Sequence, residues 1–173
     1  MNYVVAIDVG IKNLGICVFD FRVCRVVYWQ NVALVSSGRY LPYLNVEYVR
    51  QFVTKHKKYF DEAFRVVVER QIRCNMRIIE AVLQSMHYDV CTIVNARSVK
   101  VHYDLSTRNY RSNKQAAVDW AQRFIDNNPS AFDLGVDNVF KSKKKDDLAD
   151  SLLLLMYYLD TYSNQMSTFN GVL

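Results

Sequence analysis

The 173-residue chain has few residues that break regular structure: two prolines and five glycines, nowhere clustered. That scarcity argues against a flexible interdomain linker or a low-complexity segment. Cysteine is equally sparse. Cys17, Cys24, Cys74 and Cys91 stand far apart and form no CxxC or Cys/His pattern, so neither a disulfide framework nor a thiolate zinc site is expected. Free thiols of this kind fit a reducing, intracellular setting. No apolar run approaches the roughly 20 residues that a bilayer helix requires. The longest, SLLLLMYYL at 151–159, falls well short, and no membrane association is expected. The amino terminus enters a strand pattern directly, without the charged and apolar segments of a secretory leader. Charge is not one-sided either: 22 Lys and Arg oppose 17 Asp and Glu, a formal net charge of +5. A modest basic excess permits a polyanionic partner without requiring one.

What the chain has in quantity is apolar surface. Hydrophobic residues make up 51% of it, enough to bury one core, so a single domain over 1–162 with a polar tail at 163–173 is expected. Three segments rich in β-branched and aromatic residues, 3–9, 15–21 and 23–34, read as strands joined by short turns, hence as an antiparallel meander. Residues 44–60 place apolar side chains at helical spacing. The apolar run in AFRVVVER (63–70) fits a strand covered on both faces. A helix is predicted over 71–86, with Ile72, Met76, Ile79 and Leu83 along one side. A short strand (89–96), a polar and basic loop (97–112) and a helix over 113–127 capped by Ser112 come next. A lysine-rich loop (141–145) leads to a last helix from Asp146 to about Tyr162. The fold class implied is α/β: a mixed sheet, three antiparallel strands and then parallel ones, flanked by helices.

Within this frame the acidic residues fall in unusual places. Asp8 interrupts an apolar strand and, by alternation, shares a face with Val4 and Ala6. Glu69 closes the VVVE run at the C-terminal end of a buried strand, where α/β proteins tend to place their sites. Asp147 and Asp150 are three apart on the last helix and so share a side; the apolar stretch behind them must dock on the sheet, carrying both inward. Each has an ordinary alternative. Asp8 fits a strand-to-turn junction beside Gly10, Glu69 a surface salt bridge, Asp146 and Asp147 a helix cap, and Asp150 a solvated face. Converging carboxylates would raise one another's pKa. Hard divalent cations relieve that cost, Mg²⁺ favours oxygen ligands, and two such ions serve phosphodiester substitution. Gly10 and Gly15 would then leave a bare turn beside Asp8 that a sugar-phosphate backbone can approach.

The ordered set AIDVGIKNLG, VVVERQ, SVKVHY, SNKQAAVDW and DDLADSLLL resembles the RuvC-type Holliday junction resolvases, in particular their poxvirus branch, over nearly the whole chain. The resemblance implies an RNase H-like nuclease domain. Carried over motif by motif, it implies that Asp8, Glu69, Asp147 and Asp150 bind two Mg²⁺ per active site, with Mn²⁺ as a substitute, and that Lys100 lies near the scissile phosphate. The doubled Asp146–Asp147 departs from the pattern; the three-residue spacing, followed by the small Ser151, favours Asp147 as the ligand over Asp146. Lys114 matches a basic residue opening the helix that follows. Contacts to the DNA backbone are expected from Lys12, Arg70, Arg73, Arg77, Lys100, Lys114, Lys143 and Lys144.

The same resemblance implies paired symmetric nicks in four-way and other branched DNA, products with 5′ phosphates, and a homodimer that places two sites on one junction. Its poxvirus side implies viral replication sites in the host cytoplasm and the processing of concatemers. Two rival readings remain at this level: a ribonuclease H acting on RNA–DNA hybrids, and a catalytically silent junction-binding module. An actin-like ATPase, which shares the DxG turn, normally needs two related domains and more chain than this.

Overall fold

The computed structural model describes residues 1–35, 38–107, 109–141 and 145–170. Its centre is a five-stranded sheet: β1 (Tyr3–Asp8), β2 (Leu14–Asp20), β3 (Arg25–Val32), β4 (Ala63–Glu69) and β5 (Cys91–Val94), in the order β3-β2-β1-β4-β5. β1 pairs antiparallel with β2, as does β2 with β3; β1–β4 and β4–β5 are parallel. This is the mixed sheet read from the sequence. Both faces are covered, which explains why β1 is apolar at every position before Asp8. Tyr3, Val5 and Ile7 pack with helices α1 (Asn45–Lys55) and α3 (Cys74–Met86). Val4 and Ala6 pack on the opposite face with α5 (Tyr110–Asn127) and α6 (Asp146–Asn170).

β4 contains an irregularity that decides where Glu69 points. Tyr3 pairs with Ala63, but Val4 pairs with Arg65, so Phe64 is an extra residue in the ladder. A one-residue bulge reverses the face of everything after it. Ala63 packs with α1 and α3; beyond the bulge Val67 joins the α6 side and Arg65 Nε donates to Tyr158 Oη of α6 at 3.3 Å. Glu69, two residues on from Val67, therefore continues the face that carries Asp8.

Several boundaries differ from the sequence reading, each for a local reason. The helix predicted over 44–60 is two, α1 and α2 (Lys57–Asp61), broken at His56. His56 is buried, its Nδ1 2.8 Å from the Phe52 carbonyl of its own helix and its Nε2 3.2 Å from Tyr28 Oη. The helix predicted from 71 begins at Cys74. Ile72, expected on its apolar side, is instead 92% exposed in the extended segment before it, whereas Ile79 and Leu83 are buried. The strand predicted over 89–96 is confined to Cys91–Val94. α6 continues past Tyr162 to Asn170.

The largest difference is the predicted loop at 97–112, which holds helix α4 (Ala96–His102). Asn95 caps it by accepting from Arg97 N–H at 2.9 Å. Its other end is a Schellman closure: Asp104 adopts a left-handed φ of 55°, its N–H bonds Val101 O, and Leu105 N–H bonds Lys100 O at 2.7 Å. Leu105 is buried beneath this turn. α5 likewise begins three residues early, capped by Asn109 rather than Ser112.

α6 is seated by contacts that leave no slack. Trp29 of β3 donates from Nε1 to Leu148 O at 3.1 Å and to Ser151 Oγ at 3.2 Å. Its ring stacks with those of Phe132 and Phe140. Gly15 of β2 meets the helix backbone directly: a Cβ there would overlap the Asp147 carbonyl oxygen and press Ser151 Cβ at 3.1 Å. At Gly10 a Cβ would overlap the Asn13 carbonyl oxygen. The glycines were expected to admit a sugar-phosphate backbone. Gly15 instead admits α6; Gly10 closes its own turn and does line the cavity that holds Asp8. Gly15→Ala should lower stability by about 2–3 kcal/mol through overpacking, read from the denaturation midpoint. An alanine variant as stable as wild type would contradict this seating of α6.

Candidate active site

Asp8 and Glu69 stand at the C-terminal ends of adjacent parallel strands, on the face that α6 crosses. Asp147 and Asp150 come from the first turns of α6, and Lys100 from the last turn of α4. All five line one cavity of about 830 Å³. Lys100 Nζ is 3.4 Å from Asp150 Oδ1, with both side chains mostly enclosed. Each part has a local cause. β1 and β4 are in parallel register, the bulge at Phe64 turns Glu69 to the α6 side, and Gly15 lets the backbone of Asp147 close on β2, directly beside Asp8, which pairs with Gly15. The Schellman turn fixes the Lys100 carbonyl and so the base of its side chain.

The cluster is electrostatically strained. Burial raises the pKa of Asp8 well above the usual carboxylate range, and Glu69, Asp150 and Asp147 push it further; Lys100 opposes. Glu69 is pushed up to about 7 by burial and by Asp150, again against Lys100. Asp150 is raised by burial, while Lys100 and Lys114 draw it down. Carboxylates that resist ionisation in a cavity open to solvent are a donor set that divalent cations would relieve. Among the described residues no three His, Cys, Asp or Glu side chains are gathered tightly enough to enclose an ion. The carboxylates share a cavity and feel one another's charge, while standing apart. Hard oxygen donors and unfavourable mutual charge fit an oxygen-ligated divalent metal.

The basic residues divide by position. Lys12, Arg70, Arg73 and Lys114 also line the cavity. Arg70 and Arg73 reach it from the extended segment before α3, although the predicted helix over 71–86 included Arg73. Arg77, one turn into α3, is exposed and outside the lining. Lys143 and Lys144 lie outside the described residues. Asp146 does not line this cavity: it accepts a hydrogen bond from Lys114 Nζ at 2.6 Å. The sequence reading passed over Tyr40, Gln71 and Asn95, which also face the cavity. Asn95 alone carried a signal, as a cap residue ahead of a helix too short to be recognised.

The fold is the RNase H-like fold of Holliday junction resolvases. The fowlpox virus Holliday junction resolvase superposes with a TM-score of 0.65 at 17% identity, over 92% of this chain and 99% of that one. The yeast mitochondrial resolvase Ydc2 gives 0.67 at 20% identity, over 96% and 85%. Thermus thermophilus RuvC, solved with a Holliday junction substrate, gives 0.56 at 15% identity, over 93% and 96%. Among curated proteins no sequence relative matches the chain. Family membership comes from sequence: the profile described as Poxvirus A22 protein matches residues 2–161, and the chain belongs to that family.

The raised carboxyl pKa values fix the sign of a pH effect. A carboxyl whose pKa rises on folding supports the fold while protonated, and that support is lost as pH climbs from its unfolded value through its folded one. For Glu69 the window runs from 4.5 to about 7. Without divalent cations, wild type should therefore lose stability across this window. Asp8→Asn, relieved of one charge, should melt several degrees higher at pH 8 and converge with wild type toward pH 4–5. Mg²⁺ should stabilise wild type and leave Asp8→Asn nearly unmoved. Thermal melts decide it; an Asp8→Asn variant less stable than wild type at pH 8 would refute the strained cluster.

Proposed function

We propose that this protein is a Holliday junction resolvase, a metal-dependent endonuclease that makes paired symmetric nicks in four-way and other branched DNA. The observation that carries the reading is the meeting of Asp8, Glu69, Asp147 and Asp150 with Lys100 in one cavity. Membership of the Poxvirus A22 protein family supports it, as does a fold shared with proteins solved on Holliday junction DNA. We take residues 1–162 as the nuclease domain.

The four carboxylates would hold two Mg²⁺, or Mn²⁺ in its place, which supply charge neutralisation and an activated water for phosphodiester hydrolysis when bound. The chain's own groups do the rest. Lys100, kept near Asp150, presents an ammonium to charge developing on the scissile phosphate. Arg70 and Arg73 bear on the strand from one wall and Lys12 from another, holding the backbone in line. Cleavage on the 3′-oxygen side leaves 5′ phosphates. Asp146, already engaged by Lys114, is not among the ligands. A homodimer supplies a second site for the opposite strand. The biological setting is resolution of viral replication concatemers in the host cytoplasm; among the described residues no helix is long and apolar enough to cross a membrane.

Cleavage of an immobile four-way junction with Mg²⁺ tests this, with an RNA–DNA hybrid alongside. Wild type should introduce paired symmetric nicks. Asp8→Asn and Asp150→Asn should lose about a thousandfold in rate, about 4 kcal/mol of transition-state stabilisation, while still binding. Lys100→Ala should lose about a hundredfold. Cutting of the hybrid alone would replace this reading with a ribonuclease H. Tight junction binding without cleavage in Mg²⁺ or Mn²⁺ would leave a silent binding module.

A further inference from the structure

Asp146 is left over by the catalytic site, and its partner Lys114 faces two ways. On one side Lys114 lines the carboxylate cavity. On the other it lines a second groove of about 820 Å³ between the first two-thirds of α5 and the start of α6. The groove's charged walls are Arg111, Lys114 and Asp119 from α5, Lys145 just ahead of α6, and Asp146 at its first position. Its α5 wall runs from Arg111 to Gln122 at helical spacing, a length of about 16 Å, enough to accompany several consecutive phosphates. Two of these charges are already engaged: Lys145 Nζ lies 5.2 Å from the centre of the Phe140 ring, and Asp119 accepts from Gln115 Nε2 at 2.8 Å. The Lys114–Asp146 bond, 2.6 Å long, joins side chains about a third exposed, and ion pairs that open to water are held weakly.

We propose that this groove is a second phosphodiester track, taking the DNA arm that leaves the catalytic cavity, and that Asp146 stands in for a phosphate on Lys114 until that arm arrives. The proposal rests on the nuclease reading above. The groove holds three cations against two carboxylates, so it attracts a polyanion only modestly while Asp146 is present. A backbone phosphate takes over Lys114 from Asp146, at the cost of facing the Asp146 carboxylate. Asp146 thereby lowers affinity for any DNA that reaches the groove. The factor is the same for a duplex and for a junction arm, since both meet the same carboxylate. The junction keeps its added contacts in the catalytic cavity, so the plain duplex is the ligand left with the weaker hold.

The test is binding of an immobile four-way junction, and of a linear duplex with one arm's sequence, without divalent cation over a NaCl series. Asp146→Asn should bind both DNAs about three- to tenfold tighter, by a similar factor on each. That gain should vanish in Asp146→Asn combined with Lys114→Gln, because Lys114 is what Asp146 masks. Arg111→Gln, on an exposed helix surface where folding is not in question, should weaken junction binding about threefold and reduce the salt slope by about one. Asp146→Asn with unchanged or weaker binding, or a gain that survives loss of Lys114, would overturn the proposal. So would Arg111→Gln binding like wild type. A wild type that neither prefers nor nicks the junction defeats the nuclease reading and the groove with it. Nicking by wild type with no tightening in Asp146→Asn defeats the groove alone.

Discussion

The candidate site depends on one backbone-to-backbone contact, that of Gly15 on β2 with the first turn of α6 at Asp147. Six helices and strands contribute to the cavity, yet α6 alone brings two of its carboxylates, and its first turn comes into backbone contact with β2 where β2 has no side chain. Trp29 and Ser151 hold the helix at that height by hydrogen bonds inside the core. An unsatisfied partner in either bond would be costly at such a depth. The resulting geometry is specified by packing rather than by attraction among the functional groups, which repel one another.

That repulsion is a cost the rest of the fold must cover. Apolar residues fill both faces of the sheet, with β1 buried on each side up to Asp8, so the hydrophobic framework is closed before the first charge appears. Lys100 offsets part of the negative charge, on a helix closed by the Asn95 side chain at one end and by the Schellman turn at the other. The proposed chemistry therefore sits at the open edge of a packed framework, where the separated carboxylates would draw together around an incoming ion.

Much of this was legible in the sequence. The meander, the buried strand ending in Glu69 and the apolar last helix each rest on a pattern long enough to read, and they place Asp8, Glu69, Asp147 and Asp150 near one another. The misses have physical causes. α4 is seven residues long with Val99 as its one buried side chain, too little for periodicity to register, so the setting of Lys100 was hidden. Its closing residue is Asp104, where glycine would have been the recognisable signal. The purpose of Gly15 was hidden because the atom it makes room for belongs to a residue 132 positions later. Ile72 was misplaced because an apolar residue just ahead of a helix looks like part of it.

The extra residue at Phe64 makes pairing register, more than composition, the sensitive property of β4. AFRVVVE is apolar at nearly every step, so its hydrophobicity would survive the loss of the bulge. Its handedness of presentation would not. Paired flat against β1 from Tyr3–Ala63 onward, the same seven residues would carry Glu69 one step past Asp8 and out among α1 and α3, on the opposite side of the sheet. Among relatives of this protein, exchanges of one apolar residue for another are thus open to drift along β4, whereas a change that flattens the ladder without removing a residue separates the two carboxylates.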